Sequence, residues 1–168
     1  GSKQQLTNSL PEELRAAEFI QPEEVWYAGK DGTQVPALLY RAKNNDAPAI
    51  INIHGGPNWH FQFLWHPIMS YMAAHGWTVL APNYRGSTGY GKKWQNASRY
   101  DMGGVDTDDC AAGVKYLVEN GLADKNKIGV TGRSHGGYLT MTCLTMYPGL
   151  FAVGSAVVPF LNWHKSHQ

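Results

Sequence analysis

Apolar residues in this chain fall into short runs separated by amphipathic stretches, and the two kinds alternate. Residues 49–53 (AIINI) and 77–81 (WTVLA) are apolar runs of the kind found in strands buried on both faces of a parallel sheet. Between them, residues 64–74 read as a helix that stops before Gly76. Strands are expected again at 127–131 and 152–158. Helices are expected at 106–119 and at 137–146, the second stopped by Pro148-Gly149. Asp106 is placed to cap the first of these, with Asp109 as its reciprocal partner. Upstream, residues 24–28 and 35–42 flank Asp31-Gly32 as the two arms of an antiparallel hairpin. Residues 3–22 are polar and punctuated by proline, as a linker is, with a short helical stretch at 12–19. No internal repeat interrupts this order. Strand and helix in alternation imply an α/β fold, a mostly parallel sheet covered on both faces, whose site lies beyond the carboxyl ends of the strands.

Composition narrows the class. The 168 residues are enough for one domain or most of one, and 43% apolar with 16% charged residues is a globular balance. A net charge of +1 with scattered lysines and arginines argues against nucleic acid as a partner. No stretch is apolar for the length of a membrane span, and no signal-peptide pattern opens the chain. Gly1-Ser2 reads as a cloning remnant, so the chain is expected to start inside a longer protein and its silence on targeting carries little; a cytoplasmic location is the default expectation. Cys110 and Cys143 have neither a disulfide-framework nor a metal spacing and read as small buried thiols. His54, His60, His66 and His75 match no metal-ligand template and no carboxylate joins them, so no metal or other cofactor is expected.

The chemistry is concentrated in TGRSHGGY, residues 131–138. Gly132-x-Ser134-x-Gly136 falls where a strand ends and a helix begins. A serine on so sharp a turn is held strained, with its hydroxyl thrust out of the sheet. Gly132, Gly136 and Gly137 allow strand and helix to approach where Cβ atoms would collide, and the helix aims its amino-terminal amides at the reacting centre. A tetrahedral intermediate needs donors for its oxyanion. One is expected to be the backbone N–H of His135. The other is expected from His54-Gly55-Gly56-Pro57, directly after the 49–53 strand, with the Gly56 N–H as donor. The aromatic run that follows, with Trp59 foremost, can wall a substrate pocket, meet another domain or simply pack onto the core. Arg85, beyond another strand end, is a candidate for binding a substrate carbonyl or carboxylate, although a structural ion pair is the stronger expectation for it.

Together IINIHGGP, APNYRGSTGYGKKW, DDCAAGVKYLVENGLADKNKIGVTGRSHGGY and YPGLFAVGSAVV resemble the catalytic domain of the prolyl oligopeptidase family of serine peptidases, in its acylaminoacyl-peptidase-like branch. The resemblance runs from about residue 23 to 162. It implies an α/β-hydrolase domain at 23–168, a Ser–Asp–His triad with Ser134 as nucleophile, and a short-peptide substrate. It also implies a preceding β-propeller, of which residues 1–22 would be the end or the linker. Where dipeptidyl-peptidase relatives carry a tyrosine, His54 stands here, so a backbone amide is the implied oxyanion donor.

Serine at its ordinary pKa needs a histidine oriented by a carboxylate. In this fold the chain order is serine, acid, histidine. The 34 residues after Ser134 contain no Asp or Glu, and His164 and His167 lie on a polar tail. The expectation is therefore an incomplete hydrolase domain of about six strands, inactive or very weak in isolation. The alternatives are half of a split enzyme, a non-catalytic assembly module, or an esterase or lipase on the same elbow. The strand from Ala152 to Val158, β-branched and uncharged, is expected to be an open edge that takes a complementary C-terminal fragment or a second copy of the chain.

Overall fold

A computed structural model of the protein describes residues 20–44 and 47–162 continuously, with residues 4, 6, 7, 9, 11 and 12 ahead of them. Most of the expected linker or propeller end at 1–22, all but Glu12 of the helical stretch at 12–19, and His164 and His167 lie outside the described residues. Six strands form one sheet: β1 Glu23–Ala28, β2 Gln34–Tyr40, β3 Ala49–Ile53, β4 Thr78–Pro82, β5 Ile128–Arg133 and β6 Val153–Val157. Their spatial order is β1-β2-β4-β3-β5-β6. The first two strands pair antiparallel to each other, and β2 pairs antiparallel to β4. From β4 to β6 every pairing is parallel.

Alternation along the strands divides the core between the two faces. Ala37, Leu39, Ile51, Ile53, Leu80, Ile128 and Val130 point into one cluster. That cluster is closed by α3 (Val105–Glu119), through Cys110, Val114 and Leu117, and by α4 (His135–Met146), through Leu139 and Cys143. Leu38, Tyr40, Val79 and Ala81 face the other side against Met69 and Ala73 of α1 (Pro67–Ala74). Strands buried on both sides explain why their sequence shows continuous apolar runs rather than alternation.

Several boundaries differ from the sequence expectation. Helix α1 begins at Pro67, not residue 64, because proline fits the first helical position while its ring forces His66 into extended backbone at φ −114°. The short helix α2, Lys92–Asn96, was not foreseen; five residues are too few to display a period. The expected capping box of α3 does not form. Its N-cap is Gly104, and the Val105 N–H donates to Asp101 Oδ2 at 2.9 Å. Asp106 and Asp109 lie inside the helix and turn to buried tertiary partners instead. The hairpin loop runs from Gly29 to Thr33, closed by Gly29 N–H to the Thr33 carbonyl at 2.8 Å.

Arg85 ties the sheet's first hairpin to α3. Its Nε and Nη2 donate to the two oxygens of Asp109 at 2.9 and 2.7 Å, and Nη1 reaches Asp31 Oδ2 at 2.6 Å. Its own backbone N–H adds a further bond to Asp109 Oδ2 at 2.9 Å. Burial pushes the Asp109 carboxyl up and outweighs the opposing pull of Arg85. Asp31, at the surface, is lowered to about 2 by its bonds to Arg85 and Thr33. A fully buried carboxylate whose cation is removed is costly. Arg85→Ala is therefore expected to lower stability by about 3–5 kcal/mol, and adding Asp109→Asn to recover much of the loss. Urea denaturation of the single and double variants measures both.

Candidate active site

Strand β5 turns into α4 at Ser134, which adopts φ 59° and ψ −118°. Apart from Val158, it is the one described non-glycine residue at positive φ. Such a conformation costs on the order of 1–3 kcal/mol and survives only where its surroundings overdetermine it. The surroundings here are backbone. The Ser134 N–H donates to the Val157 carbonyl at 3.0 Å, and its carbonyl accepts the Tyr138 N–H at 3.0 Å. The outcome is an exposed serine at the carboxyl end of a central strand, with its side chain clear of the helix that follows.

The glycines around it are steric requirements. A Cβ on Gly136 would collide with the Ile53 carbonyl oxygen and come within 2.8 Å of that of His54. One on Gly132 would stand 2.7 Å from the same Ile53 oxygen, and one on Gly137 would stand 2.8 Å from the Val157 oxygen. These contacts press the end of β3 onto the elbow. Gly55 accordingly lies against Ser134: a Cβ there would be 3.4 Å from the serine Cβ and 2.9 Å from the Arg133 carbonyl oxygen. The loop after β3 and the start of α4 thus flank one serine. Gly56, at φ 131°, makes no hydrogen bond through its N–H among the described residues. His135 opens α4, where the first amides have no intrahelical acceptor.

His54, which opens the expected oxyanion loop, orients this loop through its ring. Its Nδ1 lies 2.8 Å from the Gly55 carbonyl oxygen and its Nε2 lies 2.8 Å from Ser87 Oγ. A carbonyl only accepts, so Nδ1 carries the proton, and Nε2 faces the Ser87 hydroxyl, whose one hydrogen is shared with the Tyr84 carbonyl at 2.7 Å. The Gly55 carbonyl belongs to the same peptide as the Gly56 N–H. Fixing the oxygen on one side turns the N–H to the other. Tyr84 stacks on the imidazole at 4.3 Å and donates its hydroxyl to the His54 carbonyl at 2.9 Å. Burial holds the His54 imidazole down at about 3, so the ring stays neutral.

Of the remaining candidates, Trp59 is 41% exposed and packs edge-on against His54 and Phe61 at 5.4 and 5.3 Å. Phe61 is buried, and its backbone N–H and carbonyl are both taken by the Asn83 amide at 2.7 and 3.1 Å. Phe63 and Trp65 are mostly exposed. Arg85 is drawn away from a substrate-binding position, because its guanidinium nitrogens are engaged with Asp109 and Asp31. The His135 ring is buried and bonded through Nε2 to Asp106 Oδ2 at 3.1 Å, so it does not serve the Ser134 hydroxyl. That hydroxyl has no hydrogen-bond partner among the described residues. Local sequence assigns Asn83, Tyr84 and Ser87 no role, their only signal being polar residues directly after an apolar run, and it places Asp106 as a helix cap rather than beside His135. Among the described residues no group of three or more His, Cys, Asp or Glu is arranged around a common point for a metal, and no helix is long and apolar enough to cross a membrane.

The sequence profile of the prolyl oligopeptidase family matches residues 59–168. Among curated proteins, the uncharacterized peptidase YuxL of Bacillus subtilis is 36% identical over 82% of this chain and 22% of its own length. A prolyl endopeptidase of Elizabethkingia meningoseptica is 34% identical over 85% of this chain and 21% of its own. The chain therefore spans about a fifth of the length of these relatives. Among solved structures, the acylaminoacyl peptidase of Pyrococcus horikoshii superposes with a TM-score of 0.90 at 27% identity, over 97% of this chain and 27% of that one. An acylaminoacyl peptidase in complex with Z-Gly-Gly-Phe-chloromethyl ketone matches with the same TM-score of 0.90 over 99% of this chain.

The depressed His54 pKa has a testable sign. The folded ring takes up its proton only near pH 3, whereas in the unfolded chain it does so near its ordinary 6.5. Its contribution is thus intact above pH 6.5 and is lost progressively as pH falls toward 3. In an NMR titration, the His54 ring protons are expected to hold constant shifts between pH 8 and 5. His54→Gln should remove part of the acid destabilisation over the same range.

Proposed function

The chain belongs to the prolyl oligopeptidase family, and from that premise we propose that it carries the nucleophile half of a serine peptidase site acting on short peptides. The observation that carries this reading is Ser134 at φ 59° between β5 and α4, with the Gly55-Gly56 loop pressed against it. In the reaction, Ser134 Oγ bonds to the peptide carbonyl carbon and its proton passes to a general base. The carbonyl oxygen becomes an oxyanion facing the N–H groups of Gly56 and His135, each worth about 3 kcal/mol at the transition state. The amine leaves with the base's proton, and water then hydrolyses the acyl-enzyme by the same two steps. The base and its carboxylate come from outside the described residues, in a longer chain or a second polypeptide. A short-peptide substrate is supported by the solved relative that carries a peptidyl chloromethyl ketone. With a fluorophosphonate probe, the full-length protein is expected to be labelled at one serine, and Ser134→Ala to abolish the signal. Continued labelling of that variant at another serine would overturn the assignment.

The outer strand supports a second element of the proposal. Among the described residues β6 is hydrogen-bonded to β5 on one side only, and Val153, Val157 and Val158 are 60%, 44% and 65% exposed. Neither charge nor proline blunts the strand before Pro159, and such an edge invites another. A complementary C-terminal segment or a second copy of the chain pairs here. Light scattering on the 168-residue chain should show association at concentrations where residues 153–157 become protected from hydrogen exchange. A monomer at high concentration in which the 153–157 amides that point away from β5 exchange freely would count against the pairing.

A further inference from the structure

Asp106 sits fully buried in the first turn of α3, where a carboxylate has no local reason to leave solvent. Its bonds divide cleanly. Oδ1 accepts the N–H groups of Gly103 and Thr107 at 2.8 and 3.0 Å, both in its own turn. Oδ2 turns the other way and accepts from His135 Nε2 at 3.1 Å. Among the described residues this is the ring's single polar tie, because His135 Nδ1 is buried without a partner there. Asp106 therefore decides which imidazole nitrogen carries the proton and where the ring lies. The aromatic rings of Tyr84, Tyr138 and Phe160 flank it at centroid distances of 6.1, 5.8 and 5.9 Å.

We propose that Asp106, acting through the His135 ring, is a positioning residue for the backbone N–H that follows the nucleophile. This rests on the reading of Ser134 and the oxyanion donors given above. The direction of the His135 N–H is set by ψ of Ser134 and φ of His135, and the first of these sits at a strained −118°. The carbonyl of that peptide is held by Tyr138 N–H at 3.0 Å, inside the helix. On the other side of the same peptide, the Cα of His135 carries the side chain that reaches out of α4. The ring bond to Asp106 joins that Cα to α3, a separate element. The turn that carries Asp106 is locked to α4 a second time, since the Tyr138 hydroxyl donates to the Met102 carbonyl at 3.2 Å. α3 thus acts as the rigid support against which the donor is aimed.

The test is the phosphonylation of Ser134 in the full-length protein by a fluorophosphonate, which also builds negative charge toward the two donors. Asp106→Asn retains one oxygen for three donors, so the His135 bond weakens. Its maximal labelling rate should fall about 10-fold, less than the 10²–10³ of deleting a donor, with half-saturation unchanged within about twofold. His135→Phe, which keeps a ring in the slot, should fall as far, and the double variant no further. In the 168-residue chain labelled with ¹⁵N-histidine, a slowly exchanging His135 Nε2–H should be present and should be lost in Asp106→Asn. Labelling that survives Ser134→Ala would refute the site reading itself. Wild-type labelling rates in Asp106→Asn, or additive losses in the double variant, would overturn the role of Asp106 and leave Ser134 standing. Should Asp106→Asn fail to fold, a wild-type rate in His135→Phe overturns it alone.

Discussion

The fold turns on a backbone contact: the carbonyl oxygens of Ile53 and His54 occupy the space where a side chain at position 136 would be. This approach is open only to glycine. It holds β3 and β5 as parallel neighbours up to their carboxyl ends, and it seats the loop after β3 on the turn that carries Ser134. Close packing of backbone on backbone leaves Ser134 few alternatives to its strained conformation. The strain is therefore sustained by the central sheet together with the backbone hydrogen bonds of Ser134, and the loops on either side of it share one frame of reference.

A second layer of control comes from the segment after β4. Four of its residues, each buried or partly so, serve four different elements. Asn83 clamps the backbone of Phe61, Tyr84 and Ser87 orient His54, and Arg85 binds α3 and the first hairpin. Tyr84 also lies between the two histidines adjoining the candidate oxyanion donors, stacked on His54 and 6.1 Å from His135. Buried polar groups of this kind are costly unless satisfied, so each fixes its neighbour in a single arrangement. The consequence is that the loops around Ser134 are held by side chains bonded to one another.

Much of the fold was legible along the chain. The apolar runs of β3 and β4, the hairpin around Asp31-Gly32 and the elbow from Gly132 to Gly137 followed from local pattern, and so did the α/β class and the parallel order. Boundaries were less so. The start of α1 depended on how Pro67 constrains His66, and α2 was too short to carry a period. The polar residues were the hardest to place. Asp106 and Asp109 stand at positions where aspartate commonly caps a helix, and a cap is worth about 1 kcal/mol. In the folded chain they have stronger partners, His135 and Arg85, lying 29 and 24 residues away in sequence.

What the sequence determined by itself is what depends on local periodicity and on steric need: the strands and main helices, the requirement for glycine at the elbow, and the serine placed on it. Tertiary structure alone decided which buried polar groups meet. It made His54 a holder of the Gly55 carbonyl, gave the ion pair expected of Arg85 its partners Asp109 and Asp31, and gave Asp106 to the His135 ring. The physical reason is range. Pattern and backbone sterics act between neighbours along the chain, whereas the worth of a buried hydrogen bond or ion pair is set by desolvation and by a partner that only the packed sheet brings within 3 Å.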